Sequence, residues 1–151
     1  MHKTIISDTS CLIILANIGE LELLHEVYGQ IVTTVDIAME FGESLPEWVE
    51  VVTVKDKYRQ QLLEMQIDKG ESSAIALALE TPDSTMILDD NKARKVASQL
   101  GLIFTGTIGV IIKAKLNGTI PSIKPLLEKI KQTNFRLSPE IELQALKEAG
   151  E

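Results

Sequence analysis

Short runs rich in β-branched residues alternate along this chain with longer stretches of helical composition: TIIS at 4–7, IVTT at 31–34, WVEVVTV at 48–54, TMIL at 85–88 and LIFT at 102–105. Parallel neighbours need a crossover of a dozen or more residues, usually a helix, so this alternation implies an α/β fold with a central, mostly parallel twisted sheet. The runs between the strands fit that role. Helical patterning is expected over 11–16 and over ELELLHEVYG, where Leu21, Leu23, Leu24 and Val27 share a side and Gly29 stops the helix. A short helix follows over 37–41 with Asp36 as its cap, and Gly42 and Pro46 break the pattern before WVEVVTV, which reads as an edge strand. Further helices are expected over 56–67, over ESSAIALALE after Gly70, and over 91–99, 107–116, 122–132 and 138–148.

The 151 residues suit one compact domain spanning 1–151, large enough to bury roughly 68–70% of its unfolded surface. Apolar residues make up 44% of the chain and charged residues 25%, a balance too apolar for a disordered segment. Cys11 is the single cysteine, which excludes an intrachain disulfide and a CxxC zinc motif and fits a reducing cytoplasm. It has no histidine placed to activate it as a nucleophile, and neither His2 nor His25 sits in a metal-ligand pattern. The first twenty residues carry a short apolar run interrupted by Asp8 and lack a small-residue cleavage site, so neither a secretory signal nor a membrane span is expected. A net charge of −7 and a pI near 4.9 argue against a nucleic-acid partner, because phosphate binding is dominated by Lys and Arg. That argument weakens if several carboxylates line a metal site, since bound cations reverse the local charge.

Several acids fall where strands end or helices begin: Asp8 in ISDTS, Glu40 in DIAMEF, Glu71 in KGESSAIALA, and Asp89 with Asp90 in MILDDNKAR. Ligands of open parallel sheets bind beyond the carboxyl ends of the strands, so these acids can meet in one pocket. Two unit charges about 4 Å apart repel by roughly 4 kcal/mol at an effective dielectric near 20, so a gathered set must take up protons or bind a cation. Carboxylates suit hard, oxygen-loving ions, which makes Mg²⁺ or Mn²⁺ the expected cofactor. Each acid also has a plainer reading. Asp8 could cap a helix or form an Asx-turn, and Glu71 in a first turn is favoured by the helix dipole. Asp90 is an apparent N-cap for the 91–99 helix, which leaves Asp89 as the better ligand, though either can serve. Glu40 could be a solvated charge, yet it follows Ile37, Ala38 and Met39, where a buried carboxylate would be costly unless paired. Ser10 is placed to support an acid. Thr105 and Thr107 could touch phosphate, with a helix cap at Thr107 the plainer reading. Lys92 and Arg94 lie beside the expected pocket and could contact a nucleic acid, and Lys113 and Lys115 could form a basic rim.

On these residues the chain resembles the PIN-domain family, and more closely the VapC-like ribonuclease toxins and their uncharacterised solitary relatives. The carriers are the opening strand with Asp8-Thr9-Ser10, TTVDIAMEF, GESSAIALALE, MILDDNKARKVASQLGL and the trailing FTGTIGVIIKAKLNG. The resemblance implies a three-layer α/β/α PIN-like fold in which Asp8, Glu40, Glu71 and Asp89 take the family's four acidic positions, with Asp90 competing for the last and Ser10 in support. It further implies an endoribonuclease that hydrolyses RNA with a metal-activated water, with RNA as the nucleic acid that Lys92 and Arg94 could contact, together with a homodimer and a small antitoxin protein as partner. Glu71 departs from the Asp found in many relatives. That departure and the acidic net charge leave a catalytically silent PIN-fold module binding protein or RNA as the alternative. A receiver-like phosphoryl domain fits less well, because its acidic pair follows the first strand, whereas Asp89-Asp90 comes late.

Overall fold

A computed structural model describes residues 3–151, so His2 lies outside the described residues. The elements in chain order are β1 (Thr4–Ser7), α1 (Thr9–Asn17), α2 (Glu22–Tyr28), β2 (Ile31–Thr34), α3 (Val35–Phe41), β3 (Val49–Val52) and α4 (Lys57–Leu63). They continue as α5 (Lys69–Leu79), β4 (Ser84–Ile87), α6 (Asn91–Gln99), β5 (Phe104–Thr105), α7 (Thr107–Leu116), α8 (Lys124–Lys131) and α9 (Pro139–Glu148). The five strands form one sheet in the order β3-β2-β1-β4-β5, and every pairing is parallel. Helices cover both faces, giving the three-layer α/β/α arrangement.

The order of the strands fixes where a ligand can sit. From β1 the sheet grows one way through β2 and β3 and the other way through β4 and β5, so the winding reverses between β1 and β4. A crevice opens at such a switch point, outside the carboxyl ends of the two strands. The register pairs Ser7 with Ile87, so the residues that follow, Asp8 on one side and Leu88-Asp89 on the other, emerge side by side.

Strand β1 is buried through Ile5, Ile6 and Ser7, as expected of a central parallel strand covered on both faces. Strand β3 lies at the sheet edge and leaves Glu50 and Val51 to solvent. At the opposite edge only Phe104–Thr105 of the LIFT run is strand, and Ile103 is exposed. Three of the helices that differ from the sequence reading bear on the site or its surroundings. Helix α3 is capped by Thr34, whose Oγ1 accepts the Ile37 N–H at 3.1 Å, while Asp36 lies in the first turn and accepts from Gln60 Nε2 at 2.8 Å. Helix α4 stops at Leu63, short of residue 67. Helix α5 starts before Gly70, with Asp68 as its cap; a β-carbon on Gly70 would collide with the Glu40 carboxylate, so glycine there leaves that carboxylate its place.

Two apolar clusters hold these layers together. The larger joins the central strands to α1, α3, α5 and α6 through Ile6, Leu12, Leu15, Ile37, Ile75, Ile87 and Leu88, all fully buried. The second packs α7, α8 and α9 against α1 and α2 through Ile14, Leu23, Ile111, Ile123, Leu127 and Ile130. Each such side chain contributes roughly 1.5–3 kcal/mol relative to exposure. The second cluster therefore anchors the last helices beside the carboxyl end of β5.

Candidate active site

Asp8 is the residue immediately after β1, only 2% exposed, with an extended backbone that makes it the N-cap of α1. Its Oδ1 accepts the Cys11 N–H at 2.9 Å, and its Oδ2 accepts the Asp89 N–H at 3.0 Å. Capping and site-building are thus the same act. One oxygen starts the helix, and the other ties the end of β1 to the end of β4.

Asp89 is fixed in turn by Thr107, the first residue of α7. Thr107 donates its backbone N–H to Asp89 Oδ1 at 2.8 Å and its hydroxyl to Asp89 Oδ2. Gly106 precedes it, and a β-carbon there would come within 2.8 Å of Asp89 Oδ1 and closer still to the Arg94 guanidinium. Arg94 Nε donates to the Leu88 carbonyl, and its guanidinium carbon lies 5.2 Å from the centre of the Phe104 ring. Asp90 turns towards α6 and caps it, accepting the Ala93 N–H at 2.9 Å.

Across the crevice, Asp68 caps α5 by accepting the Glu71 N–H at 2.9 Å, and Glu40 in the last turn of α3 accepts the Thr9 hydroxyl at 2.9 Å. A cavity of about 300 Å³ is lined by Asp8, Thr9, Ser10, Glu40, Asp68 and Glu71, with Ile13 and Ile14 closing its side. No Lys or Arg lines it. The electrostatics follow from that composition. Burial, and then the neighbouring Asp89 charge, push the Asp8 carboxyl from the ordinary 3.8 up to about 7. Burial, followed by the Asp68 and Asp90 charges, raises Glu71 from 4.5 to about 8. Burial and the Asp8 charge also hold the Cys11 thiol up, which leaves it a protonated filler and not a nucleophile.

Asp8, Glu40 and Glu71 therefore share one cavity, whereas Asp89 lines the neighbouring cavity and is tied to them by its backbone bond to Asp8. Several expectations need correction. Glu40 is exposed, with Met39 beside it 75% exposed, because the apolar residues before it lie on different faces of a short helix. Thr9, rather than Ser10, hydrogen-bonds an acid; Ser10 lines the cavity without such a bond among the described contacts. Thr107 is fully buried and committed to Asp89, so its hydroxyl does not reach phosphate, and Gly106 holds the cap position. Lys92 is exposed and lines neither this cavity nor the one beside Asp89. Lys113 stands 4.9 Å over the Tyr28 ring and Lys115 bonds Glu151, so the pair forms no rim to the acids. Asp68 and Thr9 were missed. Asp68-x-x-Glu71 is legible as a capping-box pattern, which would have placed a further carboxylate at the head of α5.

The donor set is wholly carboxylate oxygen, which suits Mg²⁺ or Mn²⁺. Among the described residues no three of these groups stand at the spacing of a ready-made metal cage. Mg²⁺ is commonly held by one or two carboxylates, with waters and substrate phosphate completing its shell, and the cavity fits that mode.

The class these features define is a parallel α/β domain with a pocket at its strand ends whose only charged lining is carboxylate. A family model described as a PIN domain matches residues 4–151, and the chain belongs to that family. PIN domains are in general nucleases that act on RNA and use divalent metals. No curated protein and no solved structure matches the chain. Among the described residues no helix is long and apolar enough to cross a membrane.

Proposed function

We propose that this protein is a Mg²⁺- or Mn²⁺-dependent endoribonuclease with Asp8, Glu40, Glu71 and Asp89 as its acidic site, joined by Asp68. One observation carries the reading: four carboxylates face a single cavity that contains no cationic side chain, and a fifth is wired to its floor. A bound divalent ion would neutralise that charge, acidify a water for attack on the phosphodiester, and stabilise the leaving oxygen. Asp8 and Asp89 would hold the ion at the strand ends, with Glu40 and Glu71 reaching it from the two helices. Thr107 locks Asp89 with two hydrogen bonds and Thr9 steadies Glu40, so these acids are oriented before substrate arrives. Asp68 fixes the first turn of α5 by accepting the Glu71 N–H, so Glu71 enters the site from a capped helix end.

Action in the cytoplasm as a homodimer, restrained by a small antitoxin protein, rests on the resemblance to VapC-like toxins. The test of the chemistry is cleavage of single-stranded RNA by purified protein. Cleavage should require Mn²⁺ or Mg²⁺, stop with chelator, and fail in Asp8→Asn while the far-ultraviolet dichroism is unchanged. Equal rates in Asp8→Asn and wild type would remove the proposal.

A silent binding module is favoured by one feature, the hydrogen bonds that already occupy Asp8 and Asp89. Calorimetric titration with Mn²⁺ separates the two readings: the silent module takes up no ion at millimolar concentration.

A further inference from the structure

Asp89 lines a second and larger cavity, of about 560 Å³. Such a volume falls within the roughly 300–1,000 Å³ of small-ligand sites. Its apolar walls bring the β5–α7 corner together with the chain leading into α9, about thirty residues further on. Phe104 stands on β5 and Ile108 and Ile112 on α7, while Phe135 lies in the loop before α9 and Ile141 on α9. The polar lining is balanced: two cations, Arg94 and Arg136, line it with two carboxylates, Asp89 and Glu148, and Asn91 adds an amide.

The space is built into the chain. A β-carbon on Gly106 would strike Arg94 and Asp89, and one on Gly109 would strike the Thr105 hydroxyl. Neither glycine has a positive φ, so backbone conformation does not require them. They leave room, and both line this cavity. The two glycines of FTGTIG thus give the Arg94, Asp89 and Thr105 side chains their places in the cavity wall.

Balanced charge argues against a seat for phosphate alone, and aromatic walls argue against a solvated ion. Flat apolar faces with donors and acceptors around the edge match a nucleobase, which every single-stranded nucleic-acid groove must hold by stacking. Arg136 is exposed at the mouth and has no ion-pair partner among the described residues, so it is free to meet the adjoining phosphate. Asp89 lines this cavity, and its backbone N–H bonds Asp8 in the other, so a strand seated here runs on to the acids. We infer that the Phe104–Phe135–Arg136 cavity seats one nucleobase of single-stranded RNA next to the bond that is cut, which makes it the specificity pocket of the site. The inference rests on the ribonuclease reading for its substrate.

Binding tests it separately from cleavage. A labelled ten-nucleotide single-stranded RNA, held with Ca²⁺ in place of Mg²⁺ or Mn²⁺ and checked intact on a gel, is titrated by fluorescence anisotropy against wild type, Phe135→Leu and Arg136→Gln. Both variants should bind about tenfold more weakly. In wild type, removing the base at one position should cost a similar factor, and in Phe135→Leu the same removal should cost nothing further. Because Arg136 is exposed, Arg136→Gln keeps the test decisive if Phe135→Leu melts early. Wild-type affinity in a folded Arg136→Gln, or equal affinity for every abasic position, overturns the inference. So does loss of a protein partner from Arg136→Gln with RNA binding untouched. Position-dependent binding without any metal-dependent cleavage would leave this pocket standing and remove only the proposed chemistry.

Discussion

Asp8 and Glu151 are both carboxylates that accept hydrogen bonds from backbone N–H groups, yet the protein moves their proton affinities in opposite directions. Glu151 accepts the Ser122 hydroxyl, the Ile123 N–H at 2.8 Å and the Lys115 ammonium at 3.2 Å, and these donors, Ser122 foremost, pull it down to about 2. Asp8 accepts two N–H groups but is buried beside Asp89, and it rises to about 7. Arg94 opposes that rise only weakly. At Glu151 the donors outweigh burial; at Asp8 burial and a neighbouring like charge outweigh the donors. Glu151 is a clasp whose charge is balanced within the chain, tying the residues before α8 to α7. The acid pocket holds charge that the chain does not balance, and that surplus is what a divalent cation would answer.

The comparison breaks most sharply at Asp8. Asp8→Asn should lower metal-supported RNA cleavage by more than about hundredfold, beyond the roughly 10–100-fold cost of removing a partner that merely orients a ligand. Initial rates on a single-stranded substrate at saturating Mn²⁺ check this, and a loss below tenfold would place Asp8 outside the metal site.

The next largest effect is on stability against pH. Asp8 holds its proton more tightly in the folded chain than in the unfolded one, since about 7 lies above the ordinary 3.8. Its favourable contribution is therefore complete below about pH 4 and is lost as the pH rises through about 7; Glu71 extends that window to about 8. Metal-free protein should lose on the order of 2–4 kcal/mol between pH 5 and pH 8 from Asp8, and Mn²⁺ should return it at pH 8. Urea unfolding at both pH values, with and without Mn²⁺, measures the difference. A profile that is flat in metal-free buffer would show that the pocket is not charge-frustrated.

The sheet and most of the helices were legible because their signals are local. Thr4–Ser7, Ile31–Thr34 and Asn91–Gln99 begin and end where capping residues and β-branched runs place them. The acids were legible as a set, since strand ends converge in any parallel sheet, but their partners were not. Thr107 reaches Asp89 across 18 residues, and Thr9 reaches Glu40 across 31, by contacts that exist only once β5 and α3 have docked. The aromatic cavity was invisible for the same reason. Phe104 and Phe135 belong to different elements, and only the second apolar cluster brings the loop before α9 over the end of β5.

Gly106 offers a finer probe, because it alters neither charge. In Gly106→Ala the added carbon meets the Arg94 guanidinium and Asp89 Oδ1. Arg94 can swing aside, but Asp89 is pinned by Thr107, so the carboxylate must shift or lose a bond. Misplacing a reacting group by about 1 Å can cost on the order of a hundredfold. A shift of a few tenths of that distance should lower kcat/KM by about tenfold, with little change in melting temperature. An unchanged rate would mean that Asp89 need not stand where Thr107 holds it.

The smallest effect should come from Glu151→Gln. The amide keeps an oxygen for the Ile123 N–H but loses the charge that Lys115 meets, so at pH 7 the melting temperature should fall by a few degrees. Its pH dependence carries the argument, because Glu151 is held down to about 2 and its contribution is present above the ordinary 4.5 and lost as the pH falls through about 2. Wild type and variant should therefore differ at neutral pH and converge in strong acid, the reverse of the trend set by Asp8. Mn²⁺ affinity and RNA cleavage should stay at wild-type values, since Glu151 touches neither the acid cavity nor the aromatic one. A change in either would mean that the clasp and the pocket are coupled through α7, whose first residue holds Asp89 and whose Lys115 holds Glu151.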